Sequence, residues 1–231
     1  MIGYVFIIQS TLINALPTHY NVVRSFEDYV NSLRDGRIIY YRGGKPVDDV
    51  TRHEILRAAI NHAAELYRWQ ADPELRRFLT FDDPQYGTIS RFYKAPRGGP
   101  GGDLIERFRL IYNTTLLGRG GMFNIMKTIG SDALFGLMIA SRQLDRARGT
   151  NYYDRVMRYY ERVVKDDVTI AVAQTDVKGD RMLRPHQQED PDVYVHIVGR
   201  EPDGIIVKGG PRCIRPSPLL PTNSLSCLTG T

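Results

Sequence analysis

Residues 166–184 read DDVTIAVAQTDVKGDRMLR, and the change of character inside this stretch decides the fold. Upstream of it, apolar residues recur at helical spacing; downstream, they alternate with a period of two. The T-D-x-K-G-D-R run at 175–181 carries charge and a glycine with little apolar content, so it reads as a loop between the two halves. Glycine permits a tight turn and close backbone approach. Lys178 and Arg181 can contact phosphate or carboxylate, and Asp176 and Asp180 can cap, orient or pair. Taken alone, the run is first of all a solvated turn.

Outward from that hinge, the upstream half is helical. Ser25 is placed to N-cap a helix whose stripe is Phe26, Tyr29, Val30 and Leu33 and which stops at Gly36. Residues 37–41 (RIIYY) form a short strand closed by Gly43-Gly44, with residues 45–50 returning. Thr51-Arg52-His53-Glu54 has the form of a capping box. The helix it would open carries Ile55, Ala59, Ala63, Leu66 and Tyr67 inward. Residues 72–79 read as a further helical turn or two, and 88–93 as extended chain. RGGPGG at 97–102 is a break. Asp103 then caps a helix with Leu104, Ile105, Phe108, Ile111, Tyr112 and Leu116 as its stripe. After Gly118–Gly121, a helix from about Phe123 to Ala147 places Met126, Ile129, Ala133, Leu137 and Met138 inward, and Gly149 ends it. Asn151 starts the last helix, whose aromatic stripe reads as core packing. Downstream of the hinge, Val193, Val195 and Ile197 alternate, a Pro-Asp-Gly turn follows at 202–204, and 205–207 return as a hairpin. The class is α+β: a mostly helical domain, then the beginning of an antiparallel β domain. The segments are an uncharged extension (1–23), a helical domain (24–165), the loop and first β strands (166–210), and an aberrant tail (211–231). Residues 1–23 read either as a short apolar strand or as sequence ahead of the true start.

Composition narrows the function. The chain has 231 residues, 42% apolar and 25% charged, enough to bury a core. A net charge of +5 without a polybasic block favours anionic small molecules, or plain solubility, over nucleic acid. No apolar run has membrane-spanning length. No Lys or Arg precedes Arg24, so the apolar start lacks the basic region of a secretory signal. The two cysteines, Cys213 and Cys227, both lie in the tail, which leaves the rest without thiols for a disulfide or cluster and points to the cytoplasm.

SFEDYVNSLRDGRIIYYRGGKPVDDVTRH (25–53), GTNYYDRVMRYYERVVKDDVT (149–169), TDVKGDRMLRPHQQEDPDVYVHIV (175–198) and GIIVKGG (204–210) resemble the 4-hydroxyphenylacetate 3-hydroxylase family, which also includes 4-hydroxybutyryl-CoA dehydratase. The resemblance spans about residues 24–210. It implies an acyl-CoA dehydrogenase-like architecture whose C-terminal helical bundle is missing from these residues. It also implies FAD, with reduced FAD supplied by a separate flavin reductase, and a homotetramer or dimer. On this reading Gln174, Thr175, Asp176, Lys178, Gly179, Asp180 and Arg181 contact the flavin. The hydroxylases hold a phenol oxygen with an Arg, a Tyr four residues later and a His before the flavin loop. The matching positions here are Arg119, Phe123 and Val172, so only the arginine is kept, and phenol activation by that trio is in question. The dehydratases place iron-ligating cysteines where this chain has Asn124 and Thr128, neither of them such a ligand. The expected function is hydroxylation of an aromatic, phenolic substrate with reduced FAD and O2. The alternatives are a non-catalytic scaffold that keeps the fold, and a cluster-less CoA-ester dehydratase or isomerase. His53 and His62 are expected on a helix, at the surface or satisfied in the core, and His186 on a loop surface.

After Gly210 the resemblance stops. The tail PRCIRPSPLLPTNSLSCLTGT has no acidic residue, four prolines and both cysteines. One choice of codons for residues 221–230 lets a shifted frame read N-E-L-L-V-L-P-D-G, closer to what the family would have there. The expectation is a frameshift, with a naturally divergent end as the alternative, and with it weak FAD binding, or none, by the 231-residue chain alone.

Overall fold

The structure is a computed structural model that describes residues 6–8, 23–36, 38–41, 45–97, 102–118, 127–173, 179–202, 204–209 and 222–226. In chain order its elements are β1 (Phe6–Ile8), α1 (Phe26–Ser32), β2 (Ile39–Tyr40), β3 (Pro46–Val47), α2 (Leu56–Ala71), α3 (Pro73–Leu79), β4 (Thr80–Asp83) and β5 (Gly87–Ser90). A 3-10 turn, Arg91–Tyr93, is followed by α4 (Gly102–Leu117), α5 (Thr128–Arg148), α6 (Tyr152–Lys165) and β6 (Thr169–Ala173). A second 3-10 turn, Pro185–Gln187, precedes β7 (His196–Glu201), β8 (Gly204–Lys208) and β9 (Thr222–Ser226). The chain divides into a larger unit, His19–Ala171 with Ser217–Asn223, and a smaller one, Met1–Thr18 with Val172–Pro216 and Ser224–Thr231.

The larger unit is helical because its caps are written locally. Ser25 Oγ accepts from the Asp28 amide at 3.0 Å and the Asp28 carboxylate accepts from the Ser25 amide at 3.1 Å, closing a capping box on α1. Asp72 caps α3 through the Glu74 and Leu75 amides (2.9 and 3.0 Å), with Pro73 fitting the first turn. Gly149 ends α5 in the left-handed region at φ 66°. One core gathers Tyr29, Leu33, Ile39, Val50, Ile60, Ala63, Ala64 and Tyr67, and another Leu66, Leu79, Phe92 and Leu110.

Several local expectations are corrected. Thr51 makes no cap for α2: its hydroxyl donates to Asp49 at 2.5 Å. His53 lies ahead of the helix, and its Nδ1 accepts from the Ile55 and Leu56 amides, both at 3.3 Å. The buried face of α2 is Ile60, Ala63, Ala64, Leu66, Tyr67 and Gln70, with Ile55 and Ala59 outside. Asp103 sits within the first turn of α4, where its carboxylate accepts from the Arg97 amide at 2.7 Å. Residues 91–93 coil into a 3-10 turn after the β4–β5 hairpin. Asn151 makes no side-chain cap on α6. Asp145 does that from α5, accepting from the Tyr152 and Tyr153 amides at 2.8 Å each.

The largest correction concerns α4 and α5. Leu104 and Phe108 are 64% and 68% exposed, and Ile105, Tyr112 and Leu116 are also exposed. The buried face of α4 is Arg107, Leu110 and Thr114. The Arg107 guanidinium donates to the Phe92 carbonyl (2.7 Å), Ser131 Oγ (2.6 Å) and Asp132 Oδ1 (2.8 Å), and lies 5.4 Å from the Phe135 ring centroid. Several acceptors on neighbouring elements thus turn a cation inward and the apolar stripe outward. On α5, Ile129 and Leu137 are exposed, and Thr128, Gly130, Ser131, Leu134, Phe135 and Ser141 are buried.

In the smaller unit, β7 and β8 form an antiparallel hairpin with a bulge between Ile197 and Gly199, and β1 adds to the other edge of β8 in the register Phe6↔Val207, Ile7↔Ile206, Ile8↔Ile205. The strand reading of the apolar start is the one this pairing follows. The strand β7 begins at His196, later than the alternation from Val193 implies.

Candidate functional site

The described half of the charged loop is a closed turn built around Gln188. Its Oε1 accepts from the Asp180 amide at 2.9 Å, and its Nε2 donates to the carbonyls of Asp180 (2.8 Å) and Leu183 (3.1 Å). A Cβ on Gly179 would meet the tip of the Gln188 side chain and crowd Val193, so the Gln188 clamp in its present position lies against bare backbone. Asp180 caps the same turn, with its Oδ1 accepting from the Met182 amide at 2.9 Å. Arg181 is exposed and forms no ion pair among the described residues. Within the loop, then, Gly179 and Asp180 shape the backbone, and the Arg181 side chain lies at the surface. Gln188 was not anticipated; a glutamine shortly after a Gly-Asp turn is the signal that could have found it. His186 is exposed in the 3-10 turn. Gln174, Thr175, Asp176 and Lys178, like Arg119, Phe123 and Asn124, lie outside the described residues. Val172 is in β6, half-buried and without a titratable group.

The larger unit holds a polar cluster that the sequence reading passed over. Lys127, immediately before α5, and Asp167, in the turn between α6 and β6, are both fully buried and form an ion pair through Asp167 Oδ1. Asp167 Oδ2 accepts from the Gln70 amide at 3.0 Å and from the Arg24 backbone N–H at 3.2 Å. Gln70 Oε1 in turn accepts from Ser90 at 2.6 Å and from Lys127 at 3.3 Å. The Tyr67 hydroxyl lies 3.2 Å from the Asp167 carbonyl, to which it donates, and 3.0 Å from Thr169 Oγ1; the Tyr93 hydroxyl donates to the Val168 carbonyl. The Lys127 ammonium sits 4.3 Å from the centroid of the Tyr67 ring and 5.7 Å from that of Tyr93.

Burial lowers the basicity of Lys127 to about 8, although the charge and hydrogen bond of Asp167 oppose it. Burial, with the Asp167 charge second, pushes the Tyr67 phenol well above its usual range. Burial also raises Tyr93. Gly130, in the first turn of α5, lies so close to the Ile170 backbone that any Cβ would overlap it. Thr128, at one of the two positions compared with iron-ligating cysteines, is buried, and its carbonyl accepts from Ser131 at 3.0 Å. Among the described residues no group of three His, Cys, Asp or Glu side chains could hold a metal ion. None of the described helices is long and apolar enough to cross a membrane.

Residues 26–214 match the family model described as 4-hydroxyphenylacetate 3-hydroxylase N terminal. The chain is 30% identical over 184 residues to the 4-hydroxybutyryl-CoA dehydratase/vinylacetyl-CoA-Delta-isomerase of Clostridium aminobutyricum, covering 79% of this chain and 36% of that protein. It is 27% identical over 194 residues to the oxygenase component of 4-nitrophenol 4-monooxygenase/4-nitrocatechol 2-monooxygenase of Rhodococcus opacus, covering 81% and 36%. An oxygen-tolerant archaeal 4-hydroxybutyryl-CoA dehydratase from N. maritimus superposes with a TM-score of 0.69 at 29% identity, over 81% of this chain and 36% of that one. The oxygenase component of 4-hydroxyphenylacetate 3-monooxygenase, solved with FAD, has the same fold at 22% identity with a TM-score of 0.63, over 81% and 38%. The chain therefore spans little more than a third of the length of these proteins.

Proposed function

Because this chain belongs to the 4-hydroxyphenylacetate 3-hydroxylase N-terminal family, we propose that it serves an FADH2-dependent aromatic monooxygenase acting on a phenol. The overall change would be ArH + O2 + FADH2 giving ArOH + H2O + FAD, so one oxygen atom enters the ring and the other leaves as water. Reduced FAD, delivered by a separate reductase, supplies the two electrons and activates the oxygen.

The observation that carries this reading is Arg181, an exposed cation on a turn closed by Gly179, Asp180 and Gln188. A rigid turn presenting a guanidinium suits the oxygens of a pyrophosphate. Lys178 is the second cation of the same loop, and Gln174, Thr175 and Asp176 are assigned to the flavin with it. Gly179 and Asp180 act by holding the turn. Arg119 is assigned to the anionic phenol oxygen. Phe123 cannot donate a hydrogen bond and Val172 cannot move a proton, so the substrate oxygen relies on Arg119 and on arriving ionised. That favours acidic phenols, such as nitrophenols, over ordinary ones.

The test is to titrate the 231-residue chain with FAD, following the phosphorus resonances of the pyrophosphate. Reduced FAD, oxygen and a phenol panel are then added and products are analysed. Saturable shifts that weaken in Arg181→Ala, and hydroxylation confined to acidic phenols, are expected. Shifts identical in both proteins would refute the loop assignment.

A second reading, a CoA-ester dehydratase or isomerase working without an iron–sulfur cluster, is favoured by the 30% identity to the Clostridium enzyme. Asn124 and Thr128 stand where the cluster-bearing dehydratases place iron-ligating cysteines, which is why this reading dispenses with the cluster. Turnover of 4-hydroxybutyryl-CoA under anaerobic conditions would select it.

A further inference from the structure

Asp167 is held from every side. Its two carboxylate oxygens take Lys127, Gln70 and the Arg24 backbone, which come from three separate parts of the chain. The carbonyls of Asp167 and Val168 take the Tyr67 and Tyr93 hydroxyls, and the Thr169 hydroxyl meets Tyr67. Ile170 then lies against the bare backbone of Gly130. Residues 167–170 are thus pinned one after another at the start of β6. A buried ion pair gives little net stability compared with a well-packed apolar pair, but it can dictate a unique arrangement. Here the arrangement is register. A strand displaced by one residue presents every following side chain to the opposite face, and an apolar pair at 127 and 167 would tolerate that slip where an ion pair would not.

We propose that Lys127, through its pair with Asp167, is a positioning residue for flavin binding: it fixes β6 against the first turn of α5, and residues 174–181, assigned to the flavin, follow β6 directly in the sequence. This rests on the reading of that loop as flavin-contacting.

The test compares the full chain with Lys127→Met, which keeps length but not charge, and with Lys127→Arg, which keeps the cation. FAD affinity is measured by titration, and amide exchange is followed separately at residues 169–173, in α2 and in α6. Lys127→Met is expected to keep its helical circular dichroism, lose protection at 169–173 while α2 and α6 stay protected, and bind FAD about tenfold more weakly, as for a site loosened by its support. Lys127→Arg should recover part of both. Should Lys127→Met fail to fold, the Lys127→Met/Asp167→Asn double variant, which removes both charges, takes its place. Unchanged affinity with unchanged exchange would overturn the proposal, and so would loss of protection spread evenly over α2, α6 and β6. If the unmodified chain binds no FAD, the flavin reading fails, and the exchange pattern alone then decides whether the pair sets the register of β6.

Discussion

The Lys127 ammonium and the Asp167 carboxylate meet where neither side chain has any surface exposed to water. Replacing only Lys127 by Met strands a buried anion, and replacing only Asp167 by Asn strands a buried cation. Each should cost about 3–5 kcal/mol in urea unfolding. The double variant should cost clearly less than either single one. A double variant as unstable as the sum of the singles would mean that the two charges do not act on each other.

Alkaline pH should first stabilise and then destabilise the fold. Lys127 titrates near 8 when folded and near 10.5 when unfolded, chiefly because of burial. Between those values the unfolded chain carries a proton that the folded chain does not. Stability from this group therefore rises with pH, by at most about 1.4 kcal/mol per pH unit. Tyr67 and Tyr93 act the other way: their folded phenols titrate above the ordinary 10.0. Above that pH the unfolded chain loses protons that the folded chain keeps, and stability falls. Urea midpoints from pH 7.5 to 11 should trace a rise and a fall in the natural protein. Lys127→Met should lack the rise; parallel profiles would contradict the assignment.

The orientation of α4 can be read from two substitutions. Leu110→Ala removes a buried side chain and should cost about 2–5 kcal/mol, whereas Phe108→Ala should stay within about 0.5 kcal/mol. A helix turned the way its apolar stripe suggests would reverse the order, and thermal unfolding of the two variants decides it.

Gly130→Ala should be destabilising by about 1–3 kcal/mol, because the added methyl meets the Ile170 backbone, which cannot swing aside as a side chain tip could. Gly136→Ala, on the same helix with open space around it, is the control and should be neutral or stabilising. Equal effects at the two glycines would count against the close approach of α5 to β6.

What could be read from the sequence was what is decided locally. Ser25 and Gly149 act within a few residues of themselves, and the change of period across the hinge needs no tertiary context. The inward face of α4 was misread because Arg107 finds its acceptors on Phe92, Ser131 and Asp132, and no pattern along α4 announces them. His53 was assigned to the helix it in fact caps, since a capping histidine resembles any other polar residue at a helix start. In the candidate site, the tight turn at Gly179 was legible from the glycine, whereas the Gln188 clamp and the capping role of Asp180 depend on a fold-back several residues long. The buried network left one trace: Lys127 is a single cation in an otherwise uncharged run, residues 120–131. Its partner was hidden beside Asp166 in a pair of acids that looked like a solvated turn.

Asp167 also has a backbone in the left-handed region, at φ 44°. Few residue types besides glycine settle there readily, chiefly asparagine and aspartate. Glycine would accept the backbone but offer Lys127 nothing; glutamate would bring the charge on a residue ill-suited to that φ; asparagine would match the shape and leave the ammonium without a counter-charge. Two unrelated demands therefore intersect on one amino acid. In a saturation library selected for folded protein, position 167 should admit almost no substitution, and its neighbour Asp166, half-buried and paired with Arg162 one turn back, should admit many.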